Sequence, residues 1–344
     1  MGVSIAELVE GKPIEFTKLQ NKIIAIDTFN FLYQFLATIR GPDGTLLTNA
    51  RGEVTSHLVG LFSRTTRLMQ YGMKLVFIID GDPPELKKLE RKRRRELKGN
   101  AEREYEIAKQ RHDLEAMKKF ASRTSRLTKE MVADAIEIIE LLGLPYIQAP
   151  SEGEAQAAHM AVKGDVDAIA SQDFDSLLFG ASKIIRNLSI TRRRKKAGKE
   201  SYGAIMPVEV TLADVLNQLG IDRNQLIVLG ILVGTDYNIG GVKGIGPQRA
   251  LKLLKQHGND FETIFAEVGW KNHFDFPWKD VYELFISMDV TDEYDLRWST
   301  PDPVKLKKIL TERHGFEQSR IGASLDRLEK SREKAAQTGL EDFA

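Results

Sequence analysis

Four short apolar runs, each followed closely by acidic residues, constrain the fold of this chain more than any other feature. Each run has the length and the β-branched content of a buried strand. The runs cover residues 22–26, 74–79, 145–149 and 166–171, and amphipathic helical patterns separate them at 29–39, 55–70, 129–143 and 152–164. This alternation predicts an α/β fold with a central, mostly parallel sheet flanked by helices.

The acids behind these runs form the first candidate site. Parallel strands present their carboxyl ends at one edge of a sheet, where ligands bind in open α/β folds. We therefore expect these acids to meet, together with a further acid that follows an apolar helix. The seven residues are Asp27, Asp80, Glu152, Glu154, Asp173, Asp175 and Asp236.

Most of these acids also have an ordinary structural explanation, and a solvated loop would account for Asp173 and Asp175. Glu152 and Glu154 can complement a helix dipole behind Ser151. Asp80 lies in an Asp-Gly-Asp-Pro stretch that suits a turn, and Asp236 can cap the glycine-rich segment after it. Their joint placement at strand ends favours one shared site.

A cluster of carboxylates repels itself and raises its own pKa values unless cations are present. Mg²⁺ is the natural partner, because it is a hard ion that prefers oxygen ligands. So many acids suggest two ions, which can activate water and stabilise the leaving oxygen of a phosphodiester. We expect two Mg²⁺ per site, with Mn²⁺ able to substitute.

Composition narrows the class of protein. The 344 residues are 42% hydrophobic and 29% charged, with a net charge of +1 and no cysteine, which is typical of an intracellular globular protein without disulfides. We expect no signal peptide, no membrane span and no membrane partner. A Gly-Lys-Ser/Thr phosphate loop and a Ser-His-Asp or Cys-His arrangement are absent, which argues against an ATPase and against nucleophilic catalysis.

Three segments suit nucleic acid. Residues 83–128 form a Lys-, Arg- and Glu-rich helical insertion that begins beside Asp80, and residues 191–199 hold a second basic run with Arg192 and Arg193. In residues 224–258, Gly244 and Gly246 precede a basic helix whose backbone N–H groups suit a phosphate. A solvated helix face and a tight helix connection are the ordinary alternatives.

These motifs resemble the flap endonucleases, a family of structure-specific 5′-nucleases. The resemblance rests on "IAIDTFNFLYQF", "FIIDGDPPELK", "APSEGEAQAA", "SQDFDSLLFG" and "GTDYNIGGVKGIGPQRAL". It implies a PIN-like 5′-nuclease fold over residues 1–330, with 83–128 as a helical arch and 224–258 as a helix–two-turn–helix element. The seven acids fall on the family's metal-site positions.

The resemblance also implies roles for individual residues. Lys87 and Arg94 fall where the family has catalytic basic residues near the scissile phosphate. Tyr33 matches an aromatic residue that stacks on a base, although a core-facing position is the alternative. Gly2 matches a glycine near the substrate.

The last residues, 331–344, resemble a sliding-clamp motif through Gln337, Leu340 and Phe343, with Ala344 in place of a second aromatic residue. We expect residues 337–344, which follow a charged helix, to lack structure on their own, since short termini without a packing partner usually do. The absence of a long basic extension resembles archaeal members, and an archaeal protein would lie in the cytoplasm at the nucleoid.

The predicted function is that of a magnesium-dependent 5′ flap endonuclease with 5′–3′ exonuclease activity. By the resemblance it acts as a monomer in Okazaki fragment maturation and DNA repair, on branched DNA with a 5′ flap. A silent DNA-junction binder is one alternative, but a binder has no need of carboxylates that repel phosphate. A phosphatase for small substrates would explain the acids but not the insertion or the glycine turn.

Overall fold

A seven-stranded mixed sheet organises the protein. The computed structural model describes residues 3–111, 113–121, 124–188, 193–195 and 202–341. The strands in these ranges are β1 (Lys12–Pro13), β2 (Ile23–Asp27), β3 (Lys74–Ile79), β4 (Tyr146–Gln148), β5 (Ala168–Ala170), β6 (Lys183–Arg186), β7 (Arg193–Lys195), β8 (Tyr202–Ala204) and β9 (Val208–Thr211).

The sheet has the order β1-β9-β6-β5-β2-β3-β4. The β2 strand pairs in parallel with both β3 and β5, while β4 and β6 extend the parallel part on either side. The β9 strand pairs antiparallel with β6 and with β1. The predicted α/β class with a mostly parallel central sheet is therefore confirmed, and the four predicted strands are β2, β3, β4 and β5.

The helices pack on both faces of this sheet. Their bounds are α1 (Thr28–Thr38), α2 (Ser56–Gln70), α3 (Lys87–Gln110), α4 (Leu114–Ala121), α5 (Lys129–Leu141), α6 (Gly153–Lys163), α7 (Asp175–Leu178), α8 (Leu212–Leu219), α9 (Arg223–Val233), α10 (Pro247–His257), α11 (Phe261–Glu267), α12 (Trp278–Ser287), α13 (Pro303–Lys308) and α14 (Gln318–Glu341). Short 3₁₀ turns cover Phe16–Leu19 and Trp270–Asn272, and a π-helical turn covers Ile309–Arg313.

Alternating strand residues feed two hydrophobic cores. Ala25 and Val76 face one core, which contains α6, α9 and α10. Ile24 and Phe77 face the other, which contains α1, α2 and α5. Period-2 alternation of apolar side chains thus buries both faces of the strands, as expected for a parallel sheet covered by helices.

Local sequence explains where several helices begin. The Asp27 side chain accepts a hydrogen bond from the Asn30 backbone N–H and caps α1. Asp222 and Gln225 form a reciprocal capping box at the start of α9. Pro247 occupies the first turn of α10 directly after Gly246. Each device satisfies a backbone donor, or removes one, that the first helical turn leaves free.

Within residues 83–128, the structure has the helices α3 and α4. Ala101, Ala108, Met117 and Ala121 are buried between them and their surroundings, whereas most of the basic side chains at the start of α3 are exposed or half-buried. The helical character predicted for this segment is thus present.

The expectation of an unstructured tail is wrong for its described part. The α14 helix continues to Glu341 and includes Gln337 and Leu340. Strong helix formers in "DRLEKSREKAAQ" extend the helix beyond its packed portion. Phe343 and Ala344 lie outside the described residues.

Among the described residues, no helix has both the length and the apolar character needed to cross a membrane.

Candidate active site

The ends of β2, β3 and β5 carry acids to one edge of the sheet. Asp27 is the last residue of β2, Asp80 directly follows β3, and Asp173 and Asp175 follow β5. Glu152 and Glu154 flank Gly153, the first residue of α6. Asp236 lies in the loop that follows α9.

Backbone and hydroxyl groups orient these carboxylates. Asp80 Oδ1 accepts a hydrogen bond from the Gly153 N–H at 2.8 Å, which ties β3 to the start of α6. Asp175 Oδ1 accepts from the Val3 N–H at 2.6 Å, and Glu154 Oε1 accepts from the Ser171 hydroxyl at 3.3 Å. The N-terminal segment and the β5 loop therefore support the same edge.

Burial and mutual repulsion show that the acids share one environment. Burial raises the pKa of Asp27 to about 7, and the charges on Asp80 and Glu152 add to this effect. Burial likewise raises the pKa of Asp175 to about 7, with contributions from Asp236 and Asp173. These shifts arise because a buried anion loses hydration and meets other anions.

The pKa values of three further acids are raised as well. Burial, followed by the charge of Asp175, raises the pKa of Glu154 well above its ordinary value. Burial also raises the pKa values of Asp80 and Glu152, although the nearby Lys87 ammonium partly offsets the effect. All seven predicted acids thus interact electrostatically with at least one other member of the set.

Two basic residues from α3 reach into this acidic edge. The Lys87 ammonium hydrogen-bonds Glu152 and lies 3.7 Å from Asp236 Oδ2. Arg94 Nη2 donates to both carboxylate oxygens of Asp236, at 2.9 and 2.7 Å. Burial alone would lower the pKa of Lys87, but Glu152 and Asp236 outweigh it and raise that pKa.

The carboxylates suit a hard divalent cation by their chemistry. As they stand, no three acidic or histidine side chains among the described residues converge closely enough to hold a metal ion. Lys87 and Arg94 instead take up the negative charge of Glu152 and Asp236. The donor set, whose burial and repulsion raise several pKa values, fits a hard divalent cation, and in the free chain the cations of α3 neutralise part of its negative charge.

The other predicted DNA contacts lie in different places. Tyr33 is 38% exposed, so it does not face the core, and the Lys98 ammonium lies 4.6 Å from its ring centroid. Gly244 has a φ of +84°, and Gly246 precedes α10 as its N-cap. Arg193 is part of β7, while its side chain, like Gly2 and Arg192, lies outside what the structure describes.

Sequence reasoning missed two supporting residues. Glu90 in α3 is only 2% exposed and hydrogen-bonds Arg93 and Arg94. Asn238, which is 1% exposed, accepts from the Thr235 hydroxyl and holds the loop that carries Asp236. The spacing of Glu90 to Arg93 and Arg94, three and four residues along a helix, was the available signal.

Known proteins are similar to this chain in sequence. The profile of the XPG N-terminal domain matches residues 3–101, and that of the XPG I-region matches residues 143–236. Flap endonuclease 1 from Thermofilum pendens is 50% identical over 333 residues, which cover 96% of this chain and 95% of that protein.

Solved structures agree. Flap endonuclease-1 from Methanococcus jannaschii superposes with a TM-score of 0.75 at 38% identity, covering 96% of this chain and 98% of that one. The catalytic core of Rad2, solved in complex with DNA substrate, has a TM-score of 0.67 at 25% identity and covers 95% of this chain and 100% of that one.

The fold and the acidic edge therefore define a PIN-domain nuclease of the XPG class. Within that class, the chain belongs to the flap endonuclease family. It is a hydrolase that acts on DNA as a 5′ flap nuclease, and nucleases of this family depend on metal ions. The resemblance drawn from the sequence motifs is confirmed, and the alternative of a silent junction binder is wrong.

Proposed function

We propose that this enzyme is a magnesium-dependent, structure-specific 5′ flap endonuclease with 5′–3′ exonuclease activity. Seven acids from separate elements meet at one sheet edge, and two cations of α3 contact the same edge; this juxtaposition supports the proposal. The Rad2 core, solved with a DNA substrate, supports DNA as the ligand class, and we propose that the substrate is branched DNA with a 5′ flap. The acids that would hold two Mg²⁺ ions, or Mn²⁺ as a substitute, are Asp27, Asp80, Glu152, Glu154, Asp173, Asp175 and Asp236.

The bound ions would supply an activated water and neutralise the leaving oxygen. The chain itself supplies orientation and charge. Asp80 and Asp175 keep fixed positions through the Gly153 and Val3 amides. Lys87 and Arg94 neutralise Glu152 and Asp236 in the free enzyme, and we propose that they pass to the scissile phosphate when the substrate binds. There they stabilise the charge that develops in the transition state.

The DNA around the cut is held by other elements in this proposal. Tyr33 stacks on a base once Lys98 leaves its ring, and the Gly244–Gly246 turn binds a backbone phosphate at the start of α10. Gly2, Arg192 and Arg193 complete the contacts. The enzyme works as a monomer in the cytoplasm at the nucleoid, in Okazaki fragment maturation and in repair, and its tail binds a sliding clamp.

A labelled 5′-flap duplex tests the metal mechanism. We expect cleavage with Mg²⁺, cleavage with Mn²⁺, and none in EDTA. Asp173→Ala should nearly abolish cleavage while junction binding in a gel shift stays intact, because an acid that holds metal does not attract phosphate. The exposed Asp289→Ala serves as a control with full activity.

Two outcomes would contradict the proposal. Cleavage that survives chelation would remove the metal from the mechanism. A loss of junction affinity in Asp173→Ala that matches its loss of cleavage would show that this acid supports DNA binding or folding instead.

A further inference from the structure

Glu90 is a buried acid inside the most basic segment of the chain. Its immediate neighbours Arg91 and Lys92 are exposed, whereas Glu90 itself is 2% exposed. Burying a carboxylate costs several kcal/mol unless charged partners satisfy it. A carboxylate on an exposed helix face has no such need for charged partners. The contacts of the buried Glu90 therefore indicate its role.

Those contacts are three charge-assisted hydrogen bonds from two arginines. Glu90 Oε2 accepts from Arg93 Nε at 2.8 Å, and Oε1 accepts from Arg93 Nη2 at 3.0 Å. Oε1 also accepts from Arg94 Nε at 2.7 Å. Burial alone would raise the pKa of Glu90, but the bonds from Arg93 and Arg94 outweigh it and keep that pKa low.

The Arg94 guanidinium is thereby held from two sides. Arg94 Nε donates a hydrogen bond to Glu90, while Arg94 Nη2 donates two hydrogen bonds to Asp236. Because the guanidinium is planar and rigid, a fixed Nε sets the direction of the outer nitrogens. When Nη2 leaves Asp236 for a phosphate, the bond to Glu90 can persist, since it lies within α3 itself.

We propose that Glu90 is a positioning residue for cleavage, which holds Arg94 by its Nε so that the outer guanidinium nitrogens face the scissile phosphate. This inference rests on the proposed role of Arg94. Glu90 touches neither substrate nor reacting atoms, and its effect passes through the arginine. Misplacement of a charged group by about 1 Å costs on the order of 100-fold in rate.

The test measures single-turnover cleavage of a 5′-flap duplex at saturating enzyme, together with the dissociation constant of the same DNA. Glu90→Ala should lower the rate roughly 10- to 100-fold, and DNA binding should stay equal or become tighter because a negative charge is lost. Glu90→Gln should recover part of the rate, since its amide oxygen can still accept from Arg94 Nε. Glu85→Ala, which removes the exposed partner of Lys88 in the same insertion, should keep the wild-type rate.

A double-mutant cycle separates this inference from the proposed function. If Glu90 acts through Arg94, Glu90→Ala should add almost no loss in an Arg94→Ala background. Equal losses in both backgrounds would overturn the inference, and so would a wild-type rate in Glu90→Ala while Arg94→Ala is slow. A fast Arg94→Ala enzyme would instead contradict the proposed role of Arg94 itself.

Two further comparisons test the remaining explanations, which are that Glu90 acts through Arg93 or serves only in packing. If the loss in Glu90→Ala disappears in an Arg93→Ala background but persists in Arg94→Ala, the acid serves Arg93 and the inference fails. Unfolding midpoints of Glu90→Ala and Glu90→Gln should stay close to each other. An equal rate loss in both, with no recovery in Glu90→Gln, would indicate a packing role and overturn positioning.

Discussion

At the scale of single residues, the seven acids at the sheet edge repel one another, and the basic residues of the free chain offset only part of this repulsion. Asp27, Glu154 and Asp175 are held near one another with raised pKa values. Lys87 and Arg94 neutralise the Glu152 and Asp236 side of the cluster. The metal-free enzyme therefore stores unfavourable electrostatic energy at this edge, which bound cations would release.

This imbalance predicts an unusual pH dependence for the metal-free enzyme. The pKa of Asp27 is about 7 in the folded chain, against 3.8 for an ordinary aspartate. Between these two values the folded state keeps a proton that the unfolded state has lost. Stability therefore falls as the pH rises from about 4 to about 7, by at most about 4 kcal/mol for this group.

Asp27→Asn removes the titration but keeps the oxygen that caps α1. In EDTA its unfolding midpoint should change less between pH 5 and 8 than that of the wild type, and it should be the more stable protein at pH 8. The exposed Asp289→Asn is the matched control and should follow the wild type. A wild-type pH dependence in Asp27→Asn would show that this carboxyl is ionised at little cost.

The acids could be predicted as a group because strand ends of a parallel sheet converge whatever the details of packing. The role of Glu90 could not be predicted, since one acid among many Lys and Arg residues looks like an exposed partner in surface ion pairs. Only the structure shows that Glu90 is buried where α3 packs against the sheet edge, and that Arg94 hydrogen-bonds both Glu90 and Asp236.

At the scale of elements, the junction between β3 and the loop before α6 sets the distance between acids. The Gly81 N–H donates to the Ser151 carbonyl at 2.6 Å, and the Asp82 N–H donates to the Pro150 carbonyl at 3.2 Å. A methyl group at Gly81 would lie 2.2 Å from the Ala149 carbonyl oxygen and 2.4 Å from that of Pro150. The two chain segments can approach this closely only because residue 81 has no side chain.

Gly81→Ala should therefore push the end of β3 away from the start of α6 and separate Asp80 from Glu152. We expect a loss of roughly 1–3 kcal/mol in stability from overpacking and a loss of cleavage on the order of 100-fold from displaced acids. Chemical denaturation and single-turnover cleavage measure the two effects.

Gly322→Ala is the control, because nothing lies within 4 Å of that position in α14. It should be as stable as the wild type or slightly more so, since alanine favours a helix. Wild-type cleavage by Gly81→Ala would mean that the acids do not depend on this close approach.

Elements were predictable where the pattern was long and apolar. The four central strands and the helices α1, α2, α5 and α6 fall where periodicity placed them. The edge strand β1 and its neighbour β9 did not stand out, because two to four residues with mixed polarity carry no clear period. The end of α14 did not follow the prediction, which rested on the lack of a packing partner for a short terminus, because strong helix formers extend the helix past its packed portion.

At the scale of the whole molecule, one irregular segment joins the two cores. Residues 288–302 leave α12 and run to α13, and along this path the Gln156 side chain bonds the backbone of Thr291 at 2.8 Å in both directions. Further on, the Trp298 indole N–H donates to the Leu75 carbonyl at 2.9 Å. The segment thus fastens α6, which carries Glu154, to β3, which Asp80 directly follows, so both cores support the same edge.

The C-terminal end of α14 carries the first residues of the segment that resembles a sliding-clamp motif. Gln337 is exposed on α14, and Leu340 lies three residues further along the same helix. Residues with this spacing share a helix face. The first two residues of the clamp-like motif thus lie within α14, and Phe343 lies outside the described residues.

We predict that residues 337–344 bind a sliding clamp through Gln337, Leu340 and Phe343. Because Ala344 stands where a second aromatic residue would fill the pocket, Ala344→Phe should tighten binding by roughly 1–3 kcal/mol. Deletion of residues 337–344 should abolish stimulation by the clamp and leave cleavage of an isolated flap unchanged. Calorimetry of the tail peptide with the clamp of the same organism measures the affinity, with Thr338→Ala, between the anchors, as the neutral control. If neither the native nor the Ala344→Phe peptide binds, the tail has no role in clamp binding and α14 ends as a solvated helix.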